Sequence, residues 1–330
     1  MRILVLGGTV FLGRALTDAA LAAGHDITHF NRGRAPDPRV GTVVGDRGSD
    51  GALRSLAGAG PWDAVIDTSG YLPQVVARSC AALHEAPRYV FVSSISVYTD
   101  DQGCDETSPV QPAPDPLPEA MTPDKYGALK AACEAVVRGA FGERSIVVRP
   151  GLIVGPHDPT DRFTWWPHRV ALGGRVAAPG RPRRKVQFID VRDLAGWMIA
   201  LAAGPHAGTF NATGAPVAMD ELLEACRTVS GSDARLEWID EAFLAAHEVS
   251  PWKDMPVWLP EGDAGEDHFM KVPIARAVAT GLRSRALRET LADTLAWSRT
   301  RDPAREWKAG LPEPRERDLL AAWDAAHAAD

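Results

Sequence analysis

The first sixteen residues, MRILVLGGTVFLGRAL, constrain this chain most: an apolar run from Ile3 to Leu6, two glycines, then apolar positions at helical spacing. A short apolar run closed by glycine reads as a buried strand, and the spacing after it as a helix lying back on a sheet. That strand, turn and helix form the place where a dinucleotide pyrophosphate sits, against the helix N-terminus. The usual three-glycine pattern is incomplete here. Gly7 and Gly13 hold the outer positions, but Val10 stands where the middle glycine normally lets the backbone approach the phosphates. Gly8 is expected to supply part of the missing freedom. The amides of Val10, Phe11 and Leu12, with Thr9 in the same turn, still face an anion at the start of the helix.

Alternation continues through the first half. Strands are expected at Asp26 to Phe30, Thr42 to Val44, Ala64 to Ile66, Tyr89 to Val92 and Ser145 to Val148. Helices are expected at Phe11 to Ala23, Ala52 to Ala57, Gln74 to His84 and Tyr126 to Arg138. Such alternation implies an α/β fold, a doubly wound parallel sheet with its ligand at the carboxyl ends of the strands.

After Pro150 the texture changes, and nine of the ten Trp lie beyond it. The segment KVQFIDVRDLAGWMIALA returns to a strand and helix with Asp190 as N-cap, GTFNATG reads as a short strand, and Met219 to Val229 and Arg285 to Trp297 read as helices. The expected division is a sheet domain over 1–150 and about 186–215, and a smaller substrate-binding domain over 151–185 and 216–330. Trp165, Trp166, Trp252 and Trp258 are candidate pocket walls for an apolar or aromatic substrate. The proline-rich stretch from Asp105 to Pro123 reads either as a cover for the active site or as a plain connector.

The formal net charge of −7 speaks against nucleic acid as a partner. No apolar run is long enough to cross a bilayer, and the first strand is too short for a signal-peptide core, so a cytoplasmic protein with no membrane partner is expected. The four cysteines are scattered and read as idle thiols. His157, Asp158, Asp161 and His168 match no standard metal spacing, and no metal is expected.

Strand two ends in HFNRGR. An acid there would hold ribose hydroxyls; instead Asn31 is followed by Arg32 and Arg34, and an arginine can pair with a 2′-phosphate. NADP(H) is therefore expected, with NAD(H) the alternative. Asp46, after strand three, is placed either to bind the adenine amine or to cap the next turn. Arg47, Thr68, Ser69, Pro150 and Gly151 are further candidate cofactor contacts, with Tyr126 and Lys130. The YGALK segment sets those last two four residues apart, on one helical face. With six Lys and four Tyr in the chain, that pattern arises by chance at roughly 7%. A phenol near pKa 10 can move protons close to neutrality if a cation depresses it, and Lys130 and the positive nicotinamide ring of the oxidised cofactor are the expected sources of that field. Strand five runs into FVSSISVY, where Ser94 is the expected second hydroxyl and Ser93 and Ser96 are its rivals.

With GGTVFLG, GDR, FVSSISVY, YGALK, RPGLIVGP and VQFIDVRDLA in hand, the chain resembles the extended short-chain dehydrogenase/reductase superfamily, in its NAD(P)-dependent epimerase/dehydratase group. A closer resemblance is to bacterial isoflavone-reductase-like or epimerase-like members in which the middle glycine is also replaced. The resemblance implies a Rossmann domain, a smaller C-terminal substrate domain and a Ser94, Tyr126, Lys130 active site. It implies a homodimer by analogy. Two departures stand out. Sugar dehydratases carry an acid pair where Ile95 and Ser96 stand here, and sugar-nucleotide epimerases carry an arginine where Val186 stands, with Lys185, Arg184 and Arg183 nearby. The favoured expectation is an NADPH-dependent oxidoreductase working on a carbonyl or alcohol carbon of a small metabolite. The alternatives are an epimerase passing through a transient ketone, and a non-catalytic nucleotide-sensing or RNA-associated module.

Overall fold

The computed structural model describes residues 1–99, 104–260 and 270–328. The first half of the chain runs β1 (Arg2–Leu6), α1 (Leu12–Ala22), β2 (Asp26–Asn31), β3 (Gly41–Val44), α2 (Asp50–Gly58), β4 (Ala64–Asp67), α3 (Pro73–Ala82), β5 (Tyr89–Val92), α4 (Tyr126–Phe141) and β6 (Ser145–Pro150). Then come β7 (Leu152–Val154), α5 (Trp165–Ala171), β8 (Arg175–Pro179), β9 (Lys185–Val186), β10 (Phe188–Asp190), α6 (Val191–Ala203), β11 (Gly208–Ala212), β12 (Val217–Ala218) and α7 (Met219–Ser230). The chain ends with β13 (Arg235–Ile239), α8 (Glu241–Ala246), α9 (Ala275–Ala279), α10 (Leu287–Arg299) and α11 (Glu313–His327).

These elements form two compact units. The first is Met1–Gly151 with Val191–Thr213 and Val272–Arg283; the second is Leu152–Asp190 with Gly214–Lys271 and Ser284–Asp330. In the first unit, among the described residues, seven strands lie in the order β3-β2-β1-β4-β5-β6-β11, every neighbour parallel. This is the doubly wound Rossmann arrangement, reversing beside β1 so that a crevice opens at the carboxyl ends of β1 and β4. Helices α1 and α6 pack together, as do α3 and α4. The central strands are buried along nearly their whole length, as strands covered on both faces must be. One side of the core joins Leu4, Leu6, Phe30, Val65 and Phe91 to Leu56, Val76, Val137 and Phe141 from the helices.

The sequence expectation assigned all of 216–330 to the second unit, but Val272–Arg283 packs in the first. Its short α9 lies on β11, and Asn211 Nδ2 donates to Pro273 O, contacts that sequence periodicity does not reveal. Residues 186–190 fall in the second unit, where β10 pairs with β7.

In the second unit β8 and β13 pair in parallel and α5, α7 and α10 pack together. Trp165, Trp166 and Trp258 are buried in this core, with Phe163, Met219 and Leu223. Trp166 Nε1 donates to Pro256 O at 2.6 Å. These three Trp are packing residues and not pocket walls, since each ring is enclosed by apolar neighbours. Trp252 is half-buried, with Arg162 over its ring.

Candidate functional site

The glycine turn is built as the sequence implies, with one compensation. Gly8 has φ +92, and a side chain there would run into the His29 ring, at 2.5 Å from Cδ2. His29 is itself buried and bonded to Thr17 Oγ1, so it does not yield. Helix α1 starts at Leu12 after Phe11, which has φ 37 and no side-chain cap, and its first turn carries no acid. The opening amides of a helix have no partner within it, so this uncapped end is suited to an anion. Val10 O accepts from Gly13 N, while the Val10 side chain is 64% exposed. Its methyls therefore project from the turn.

A cleft of about 540 Å³ opens over this turn. Of the expected cofactor residues, Gly7, Thr9, Val10, Asn31, Arg32, Arg34, Asp46, Arg47 and Ser69 line it. Asn31 works on the backbone: Nδ2 donates to Gly7 O and Oδ1 accepts from Gly33 N. Arg32 and Arg34 are exposed at the mouth. Asp46 Oδ1 accepts from Gly48 N, so the acid braces its own turn while facing the cleft. Arg47 forms a bidentate pair with Asp67, both bonds 2.8 Å, and also donates to Ser69 and Ser79. Those contacts engage Nε and both terminal nitrogens, so Arg47 fixes the β3 and β4 loops and its edge is not open to a phosphate. Thr68 Oγ1 donates to Leu6 O, which ties the β4 end to β1. Pro150 and Gly151 are not on the cleft wall; Gly151 N donates to Ala212 O.

The serine rivalry is decided by geometry. Ser93 Oγ donates to Glu134 Oε1, within a buried network in which Arg149 pairs with Glu134 and donates to the Tyr98 hydroxyl. Ser96 N and Ser94 Oγ bond to each other, and Ser94 Oγ also meets Ser96 Oγ at 3.1 Å. Ser94 is the serine whose hydroxyl bears on the Tyr126 phenol, favouring its ionised form against burial. Gly127 makes this approach available, because a Cβ there would lie 2.0 Å from Ser96 O. The proline-rich segment is anchored beside it: Gln111 Nε2 donates to Ser96 O and Tyr98 O.

Lys130 departs from expectation. It is 3% exposed, and Nζ donates to the carbonyls of Gly70 (2.7 Å) and Val92 (2.5 Å). Burial pulls its ammonium down to about 8. Burial likewise raises the Tyr126 phenol above its ordinary value, against the opposing Ser94 bond. In the protein by itself desolvation dominates at Tyr126, and the Lys130 ammonium is turned to backbone carbonyls. The sequence reading missed Tyr71, which lines the cleft, lies 6.5 Å ring to ring from Tyr126 and sits 5.3 Å from Lys130 Nζ. It also missed Glu134 and Arg149, whose partners are remote in sequence.

In the second unit Asp161 is held by Arg301, Arg305 and Lys308 N, and the rings of His157 and His168 lie against Trp297 and Trp307. Among the described residues no three His, Cys, Asp or Glu side chains gather as a metal site would need. Arg184 donates to Leu259 O and Pro260 O, and Arg183 is largely exposed near Asp220. No helix among the described residues is long and apolar enough to cross a membrane.

A parallel sheet in this order with an uncapped glycine turn after its first strand is the NAD(P)-binding fold of enzymes of the extended short-chain dehydrogenase/reductase type. The profile of the NAD dependent epimerase/dehydratase family matches residues 3–212, and the chain belongs to that family. Among its relatives, the chloroplast stem-loop binding protein of 41 kDa b of Arabidopsis thaliana is 25% identical over 70% of this chain, a match that spans 63% of that protein. The 2-alkyl-3-oxoalkanoate reductase of Stenotrophomonas maltophilia is 29% identical over 70% of this chain and 76% of its own. The fold is shared with Thermus thermophilus UDP-glucose 4-epimerase in complex with NAD, at TM-score 0.64 and 19% identity, covering 92% of this chain and all 100% of that one.

Proposed function

We propose that the protein is an NADPH-dependent reductase of a carbonyl carbon in a small metabolite, running in reverse as an alcohol dehydrogenase. The observation that carries this is Ser94, just past β5, bearing on the Tyr126 phenol at the start of α4, with Lys130 one turn along the same helix. A phenol is protonated at neutral pH, and reduction of a carbonyl requires a proton donor at the oxygen. When bound, the nicotinamide supplies the hydride to the carbonyl carbon. Ser94 orients the carbonyl oxygen and Tyr126 gives it the proton. Lys130 gives one N–H to Gly70 O and one to Val92 O and keeps the third for a ribose hydroxyl.

The residues present fit the cofactor. The Gly8 turn can bear no side chain, α1 is uncapped, and β2 ends without an acid beside two exposed arginines, which supports NADP(H) over NAD(H). The oxoalkanoate reductase among the relatives supports ketone chemistry. An epimerase is the second reading, favoured by the fold shared with UDP-glucose 4-epimerase. Steady-state NADPH oxidation against a panel of ketones tests the proposal. Stoichiometric consumption is expected, abolished by Tyr126→Phe; isomerised product with no net NADPH loss would instead establish the epimerase. The protein is further proposed to act without nucleic acid, in the cytoplasm, and as a homodimer.

A further inference from the structure

The cleft has a polarity along its length. Asn31 at the end of β2, and Arg32, Arg34 and Asp46 on the loops after β2 and β3, stand at one end. Tyr71 follows β4 at the other, beside the proton-transferring phenol. Its ring is 42% exposed, so it is a wall and not core. Its backbone is pinned on both sides. Gly70 O accepts from the buried Lys130 ammonium, and Pro73 opens α3 two residues on. The face of the ring looks toward Lys130, whose Nζ also lies 4.2 Å from the Phe91 centroid. A flat ring on a held backbone, bordering both the cleft and Tyr126, is placed to carry another planar group.

We propose that Tyr71 is a cofactor-contacting residue: its ring carries the nicotinamide end of the dinucleotide and sets that ring against Ser94 and Tyr126. The inference rests on the cofactor reading above. It is the aromatic ring that matters, not the hydroxyl.

The test is fluorescence titration of NADPH and calorimetric titration of adenosine 2′,5′-bisphosphate, which lacks the nicotinamide half, into wild type, Tyr71→Phe and Tyr71→Ala. NADPH affinity is expected to fall about tenfold in Tyr71→Ala and to stay within about twofold in Tyr71→Phe, as loss of one aromatic contact predicts. Affinity for the bisphosphate is expected to be unchanged in both. Equal loss for both ligands would overturn the proposal, because a disturbed cleft and not a lost nicotinamide contact would explain it. Unchanged NADPH affinity in Tyr71→Ala would overturn it as well. If wild type binds neither NADPH nor NADH, the cofactor reading itself falls, and this inference with it.

Discussion

Ser93 donates its hydroxyl hydrogen to Glu134 Oε1 at 2.5 Å, a bond that joins the end of β5 to the middle of α4. Ser93 is thereby committed to Glu134, and Ser94 is the serine left to bear on Tyr126, the first residue of the same helix. Ser94→Ala is therefore expected to lower kcat about 10²-fold with little change in thermal midpoint. Ser93→Ala is expected to leave kcat within about threefold while costing about 1–3 kcal/mol of stability, because Glu134 loses a buried donor. Paired kinetics and thermal melts distinguish these outcomes; a kinetic defect in Ser93→Ala alone would reverse the assignment.

The Glu134–Arg149 pair is enclosed on all sides, with side-chain exposures of 0% and 4%. Removing one partner of a fully isolated buried pair costs about 3–5 kcal/mol; here the partly exposed Arg138 still reaches Glu134 Oε2 at 2.9 Å, so a loss at or below the low end of that range is expected. Arg149→Met should show that loss in urea unfolding. A loss below about 1 kcal/mol would mean that water reaches the network.

Arg32 and Arg34 stand exposed at the cleft mouth, on the loop where an acid would select NAD. Replacing both by Ala should weaken NADPH about 10²-fold and leave NADH within about threefold, since each charge-assisted contact to the 2′-phosphate adds on the order of 1.5–3 kcal/mol. Equal weakening of both cofactors in binding titrations would refute the 2′-phosphate role.

Val10 projects from the turn at 64% exposure while its carbonyl accepts from Gly13 N. Val10→Gly should fold normally and change NADPH affinity by about tenfold or less. Complete loss of binding would show that the Val10 methyls hold the turn.

The buried Asp67 carboxyl gives a pH signature. Burial pushes it up, but the Arg47 charge and hydrogen bonds and the Ser69 amide outweigh this and hold it below its ordinary value. A carboxyl with a depressed folded pKa contributes stability above its unfolded pKa of about 4, lost as pH falls through the folded value. Unfolding midpoints should thus hold from about pH 7 to 5 and drop below about pH 4. Asp67→Asn should be less stable at neutrality and show a shallower acid decline. An unchanged slope would place the acid sensitivity elsewhere.

The local patterns were legible in the chain itself. Strand runs such as Tyr89–Val92, the glycine turn after Leu6 and the Tyr126–Lys130 spacing depend on residues close in sequence, and their burial and period are written there. From these the sequence determined the parallel α/β class, the cofactor turn and the pair of hydroxyls. The tertiary structure alone decided which serine faces Tyr126, that Lys130 binds the carbonyls of Gly70 and Val92, and that Tyr71 borders the cleft. It also decided that Trp165, Trp166 and Trp258 are core and that Val272–Arg283 returns to the first unit. The reason is physical. Hydrogen-bond partners and desolvation depend on what lies across space, and Ser93 and Glu134, 41 residues apart, meet only when the sheet and its helix are assembled.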